Sequence, residues 1–177
     1  MSKLAAFVLA AITLWGCASE SDEAKEAGGC PSGAALADAA TVTKLRPGGG
    51  KDPTDVVMTA ELAKPEIACD YDKDSGKVDV SLSFPITARR GPADKGEAQT
   101  FSYFVAIVDL DNTIVSKQTF TRDIALDQNV AAFNESPATI SFTVGKDKKP
   151  VGYEALVGFQ LSQDELAYNR EKHRYIP

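Results

Sequence analysis

Asp70-Tyr71-Asp72-Lys73-Asp74-Ser75-Gly76 is the densest run of potential ligands in the chain. Carboxylates at spacing two can converge on a hard cation, and calcium is the ion that prefers an all-oxygen shell of this kind. The calcium-loop pattern asks for Gly at its sixth position and a bidentate Glu at its twelfth. Here Gly76 falls seventh and Ser81 twelfth, while Lys73 and Lys77 dilute the negative field. The run is also a natural hairpin tip. A calcium- or small-ligand-binding module on Asp70, Asp72 and Asp74 is therefore the alternative reading and a polar turn the first, with no metal site expected.

Other catalytic chemistry finds less support. His173 is the single histidine and lies in a charged run at the C-terminal end. Nucleophilic triads need their base held in a rigid pocket, and zinc or copper sites need more nitrogen or sulfur ligands than are on offer. Gly48-Gly49-Gly50-Lys51 lacks the phosphate-loop spacing and is followed by Asp52 and Pro53. Paired carboxylates could serve glycoside chemistry, but nearly all Asp and Glu fall in expected turns. Glu61 and Glu154 are the strand carboxylates of interest, and both fit a solvent-facing pleat. No carboxylate is expected on an apolar strand face, where burial would raise its pKa. The reading is no catalytic residue, no cofactor and no enzyme.

Cysteine chemistry is the more specific signal. Lys3, the uncharged run 4–14 (LAAFVLAAITL) and Gly16 form the three parts of a secretory signal. Leu14-Trp15-Gly16-Cys17 reads as a lipobox, with cleavage before Cys17 and lipid on its thiol. The apolar run is too short to span a bilayer, which takes about 20 residues. Two or more acyl chains on one cysteine suffice for stable anchoring. Ala18 and Ser19 replace the Asp that retains some lipoproteins at the inner membrane. The expectation is an outer-membrane anchor with the domain in the periplasm. With Cys17 assigned to lipid, Cys30 and Cys69 remain, and two thiols in an oxidising compartment read as a disulfide. Closing that loop stabilises the fold by roughly 4 kcal/mol in the chain-entropy model.

The chain carries 19 basic and 25 acidic residues for a formal charge of −6. Removing residues 1–16 takes away Lys3 and makes the remainder more acidic still. This argues against a nucleic-acid partner, which demands a basic face, and against a polybasic grip on anionic lipid.

The elements that must position these residues are mostly strands. Residues 17–29 read as a flexible acidic linker and residues 30–170 as a single domain, with 171–177 a charged tail. Residues 36–45 fit either a short helix or an edge strand, and 46–53 a loop. From Val56 the period is two. Val56, Met58, Ala60 and Leu62 share a face; Pro65 interrupts; Ile67, Cys69 and Tyr71 resume. Val78, Val80, Leu82, Phe84 and Ile86 form the cleanest alternation. Residues 101–108 and 153–161 are apolar on both faces, as central strands are; 114–124 and 138–144 complete the set. Ser162 and Glu165 match a capping box, predicting a helical turn or two through Ala167. About seven strands with frequent turns predict an all-β, antiparallel, immunoglobulin-like sandwich with a short C-terminal helix. A small closed barrel is the second choice.

Several blocks also resemble a known family. Cys30-Pro31, residues 36–41 (LADAAT) and residues 46–56 (RPGGGKDPTDV) are similar to the opening of a family of uncharacterised alphaproteobacterial envelope lipoproteins. Residues 103–109 (YFVAIVD), 153–161 (YEALVGFQL) and 165–170 (ELAYNR) resemble its later blocks. The likeness spans most of residues 30–170, and Trp15 departs from the usual lipobox. The family brings no activity, so the resemblance implies an envelope lipoprotein and no mechanism. The whole points to a lipid-anchored, non-enzymatic binding or scaffolding module, with another envelope protein as its expected partner. Asp38 and Asp55 flank the Gly-rich loop holding Arg46 and Lys51. The expectation is that ion pairs fold this segment back over the sandwich, clamped by Cys30–Cys69.

Overall fold

A computed structural model describes residues 29–172, and the strongest alternation in the sequence becomes its longest strand. Cys17, the signal segment, the linker up to residue 28 and His173 lie outside the described residues. In chain order the strands are β1 Ser32–Ala35, β2 Thr41–Leu45, β3 Val56–Leu62, β4 Glu66–Tyr71, β5 Lys77–Arg90, β6 Gln99–Asp109, β7 Ile114–Ile124, β8 Val130–Glu135, β9 Ile140–Thr143 and β10 Tyr153–Phe159. A helix, α1, covers Gln163–Glu171. The seven strands expected from Val56 onward are β3, β4, β5, β6, β7, β9 and β10. Residues 36–45 resolve into a 3-10 turn at Ala37–Ala39 followed by β2, and β1 and β8 bring the total among the described residues to ten.

The strands form two sheets of an antiparallel sandwich. The first has the order β1-β10-β6-β7; the second runs β2-β3-β5, with β4, β8 and β9 also on β5. Only β1 breaks the antiparallel rule, pairing parallel with β10. Side chains alternate across each strand, so one face of every long strand reaches the core. Val78, Val80, Leu82, Phe84, Ile86 and Ala88 of β5 join Phe101, Tyr103, Val105 and Ile107 of β6, and Ala155, Val157 and Phe159 of β10, in a single apolar cluster. Each large side chain so buried stabilises the fold by about 1.5–3 kcal/mol. The apolar double face read for β6 and β10 matches their central positions in the first sheet.

β5 organises the second sheet. β3 pairs with its C-terminal half and β4 with its N-terminal half along one edge; β8 and β9 divide the other edge in the same way. Between the pairs Leu62↔Ile86 and Glu66↔Ser83 the flanking chain advances four residues while β5 advances three. Between Glu135↔Phe84 and Ile140↔Val80 it advances five against four. Each flank thus holds one extra residue at nearly the same level of β5, which bends the sheet as a bulge does. Pro65 and Pro137 fall in these interruptions, where no ladder donor is lost. Pro85, in β5 itself, lies opposite the first of them and accepts through its carbonyl from the Ala63 amide at 3.0 Å.

The predicted capping box forms. The Ser162 hydroxyl accepts from the Glu165 amide at 3.2 Å, and the Glu165 carboxylate accepts from the Ser162 amide at 2.8 Å. The helix then runs to Glu171, past Ala167, because its last turns have tertiary partners. Tyr168 and Asn169 are buried, and Asn169 Nδ2 donates to the Asp38 carbonyl at 3.0 Å and the Thr41 carbonyl at 2.7 Å.

Candidate functional site

The sandwich has two lateral seams, and the residues with chemistry gather there and at one end. On the first seam Cys30, just before β1, is bonded to Cys69 of β4 with a Cα–Cα distance of 5.7 Å. The bond joins the edge of one sheet to the edge of the other. The chains also pack closely here: a Cβ on Gly33 would lie 2.8 Å from Ile67 Cγ1 and 3.1 Å from Pro65 Cγ. Of the charges around the Gly-rich loop, Arg46 pairs with Asp55 across it, while Asp38 and Lys51 reach to α1 instead. Arg170 meets Asp38 at 2.8 Å and Lys51 meets Glu171 at 3.7 Å.

The three aspartates of the turn are not brought together around a common point. The Asp72 carboxylate accepts from the Asp74 amide at 2.9 Å, the Ser75 amide at 3.3 Å and the Ser75 hydroxyl at 2.6 Å. These bonds hold it below the usual carboxylate range, the hydroxyl contributing most. Gly76 takes a positive φ of 73°, and its amide closes the turn onto the Asp72 carbonyl. Asp70 lies on β4 opposite Asp79 of β5. That like-charge pairing is relieved because Asp79 accepts from Lys77 at 2.8 Å and from the Ser141 hydroxyl, which together lower its pKa. Among the described residues no group of three His, Cys, Asp or Glu is placed to hold a metal ion.

Glu61 and Glu154 sit half-buried on outward positions of β3 and β10. The expectation that no carboxylate is buried on a strand is corrected by Glu135 of β8, which is 5% exposed and faces the interior. Its Oε2 accepts from the Tyr103 hydroxyl at 2.8 Å and its Oε1 from Arg122 Nε of β7 at 2.8 Å. This triad spans the second seam, between the open edges of β7 and β8. Burial, then the neighbouring Glu135 carboxylate, push the Tyr103 phenol well above its ordinary range. Asp55 is likewise buried, against Arg46, and the Asp94 side chain is 3% exposed beside Arg90 at 2.7 Å. The Arg46 hydrogen bond lowers the Asp55 pKa against the opposing effect of burial. A buried carboxylate without such a partner would be costly, and arginine's planar fork suits the pairing. In sequence these acids look like surface residues, since their cations lie on other strands or across loops.

A groove of about 430 Å³ runs between α1 and β2, lined by Thr43, Leu45, Lys51, Asp164 and Tyr168. Lys44 and Glu165 bridge it at 2.8 Å. Burial pushes Glu165 up, but Lys44 and the Ser162 amide outweigh it and the net direction is down.

No family model, curated protein or solved structure matches this chain. The remaining feature is the end of the sandwich where the described chain begins. Gly29, at φ 68°, lies against Val151, so close that a Cβ there would be 3.0 Å from Val151 Cβ. Val151 is 63% exposed, and Leu110, beside Gly152, is 81% exposed. Lys148 reaches Asp109 at 3.5 Å in the same turn region, flanked in sequence by Lys146 and Lys149.

Proposed function

We propose that this chain is a lipid-anchored protein of the bacterial envelope, held through Cys17, whose sandwich is a non-enzymatic binding or scaffolding module in the periplasm. One observation carries the reading. Cys30 and Cys69 are joined to each other, which fits an oxidising compartment and sets apart Cys17, the third cysteine of the sequence, which directly follows Leu14-Trp15-Gly16. Each buried carboxylate has an arginine beside it, which supports a structural use of these acids over proton transfer. Placement at the outer membrane rests on Ala18 and Ser19 following the cysteine.

Intact-mass measurement of protein purified from envelopes tests the anchor. The expected result is a chain beginning at Cys17 with the added mass of a diacylglyceryl group and an amide-linked acyl chain. A Cys17→Ser variant should be held far less firmly in the membrane fraction. A native chain with an unmodified Cys17 thiol would overturn the reading. Cross-linking in intact envelopes tests the scaffolding role, and the absence of any reproducible cross-linked partner would count against it.

A further inference from the structure

We propose that the end of the sandwich at Gly29 is a membrane-docking surface: Leu110 and Val151 enter the interfacial layer of a glycerophospholipid bilayer, and Lys146, Lys148 and Lys149 meet its phosphates. The proposal rests on the Cys17 anchor and adds an orientation to it. Four observations support it.

The first is the placement of apolar groups. Turns are normally built from small and polar residues, yet Leu110 and Val151 are the two most exposed large apolar residues among those described, and Ile114 at 58% follows them. They lie together, because Leu110 Cδ1 would be 3.8 Å from a Cβ on Gly152 and Ile114 pairs with Val108 across the β6–β7 hairpin. The second is rigidity. Asp109 Oδ1 accepts from the Asp111 amide at 3.0 Å and the Thr113 amide at 2.9 Å, and Asn112 holds a φ of 59°. Leu110 is thus presented on a closed turn. Val151 sits in a 3-10 turn at Pro150–Gly152, closed by the Gly152 amide on the Lys149 carbonyl at 2.9 Å.

The third is charge. The turns 109–113 and 145–149 carry Lys146, Lys148 and Lys149 against Asp109, Asp111 and Asp147. In a chain with a net charge of −6 this end is balanced. Asp109 is taken up by backbone amides and Lys148, which hold it below the usual carboxylate range, the Thr113 amide contributing most. Such an end is not repelled by headgroups, and lysine stems can lie along an apolar surface while their ammonium groups reach phosphate. The fourth is geometry. Residues 17–28 separate Cys17 from Gly29, a length that reaches at most about 43 Å, and Gly29 packs on Val151 itself. The tether therefore joins the domain at the apolar end.

Hydrogen exchange on the full lipidated chain, reconstituted in vesicles of phosphatidylethanolamine and phosphatidylglycerol, tests the orientation. Amides of residues 110–114 and 151–152 should slow relative to the Cys17→Ser chain in solution, while residues 91–98 should not change. Equal exchange in both states, or protection confined to other residues, would overturn the proposal. The second arm uses the Cys17→Ser chain, which has no lipid, in flotation with the same vesicles. Adding Leu110→Asp and Val151→Asp should weaken its partition roughly tenfold or more, with an unchanged melting temperature showing that the variant is folded. Equal flotation of the two chains would sink the idea. So would protection of residues 110–114 in concentrated protein without vesicles, which would assign the patch to a second copy. Failure of the anchor reading is seen separately, in the mass of Cys17.

Discussion

The two seams of the sandwich are closed by different chemistry. On one side Cys30–Cys69 joins β1 to β4 covalently, with Gly33 pressed against Ile67. On the other, β7 and β8 are held by Arg122, Glu135 and Tyr103. A covalent seam acts mainly on the unfolded chain by restricting it, and responds to redox conditions. A polar seam acts on the native state by satisfying buried groups, and responds to protonation and substitution. One domain thus has one edge closed by a covalent bond and another closed by buried hydrogen bonds.

The largest effect that can separate the seams is removal of the disulfide. Cys30→Ser with Cys69→Ser should cost about 4 kcal/mol in denaturant unfolding, and reduction should loosen residues 30–53 selectively in hydrogen exchange. Uniform protection before and after reduction would erase the distinction between the seams. Within 30–53, β1 should loosen most. β2 is also held by β3 and by Asn169 and Lys44 contacts to α1.

Next in size is Glu135→Ala, which leaves the Tyr103 hydroxyl buried without its acceptor. The expected cost is about 2–3 kcal/mol, with β8 and the edge of β7 exchanging faster and the disulfide seam unaffected. Glu135→Gln keeps an acceptor for Tyr103 and should lose less. If both variants lose equally, the charge on Glu135 matters and the hydroxyl bond does not.

Proton linkage gives a smaller effect with a defined sign at each end of the pH scale. Asp55, Asp72, Asp79, Asp109 and Glu165 all have lowered folded pKa values. Their contribution is present above the unfolded value of about 4 and lost as pH falls through the lower folded values. Tyr103 is raised, so its contribution is complete below the unfolded value of about 10 and lost as pH rises beyond it. Denaturant midpoints measured in acid and in alkali should fall at both ends. Tyr103→Phe should remove its share of the alkaline loss and leave the acid limb intact. An unchanged alkaline limb in that variant would contradict the role given to Tyr103.

Arg122→Ala should cost about 1–2 kcal/mol, less than Glu135→Ala: it strips the buried Glu135 carboxylate of its cation, but the guanidinium is half exposed, so water can take its place. A loss as large as that of Glu135→Ala would mean the seam depends on the ion pair more than on the phenol.

The contrast between the seams also explains what could be read from the chain. The disulfide was legible because the sequence holds three cysteines, and reading Cys17 as a lipid site leaves Cys30 and Cys69 as a pair. Strands β3 and β5 were legible because alternation at period two is written in adjacent residues, and β6 and β10 because they are apolar on both faces. The polar seam was not. Glu135 follows Asn134 and precedes Ser136-Pro137, a polar context indistinguishable from a turn, and its burial is decided by Tyr103 and Arg122 on strands that sequence spacing cannot place beside it. β1, with the residues Ser-Gly-Ala-Ala, has too little apolar bulk to show a period; it exists because β10 offers it an edge. The extent of α1 was set by Asn169 and its carbonyl partners near residues 38–41, beyond any capping signal. The tip at Leu110 and Val151 was not legible, because two isolated apolar residues in separate turns make no pattern and only the fold brings Gly29 beside them.

The parallel pairing of β1 with β10 has a consequence for how the protein is made. The first strand of the domain finds its sheet only on the last, and Ala35 partners Val157. A chain emerging from the ribosome or crossing a membrane in order holds β1 without a partner until the C-terminal strand has followed it. The first sheet cannot close early around a finished N-terminal half, and contacts so distant in sequence form slowly. During synthesis the second sheet can assemble from β2 to β9, while the first stays open at β1 until β10 has followed. The Cys30–Cys69 bond then spans a boundary between a sheet that can form early and one that must close late.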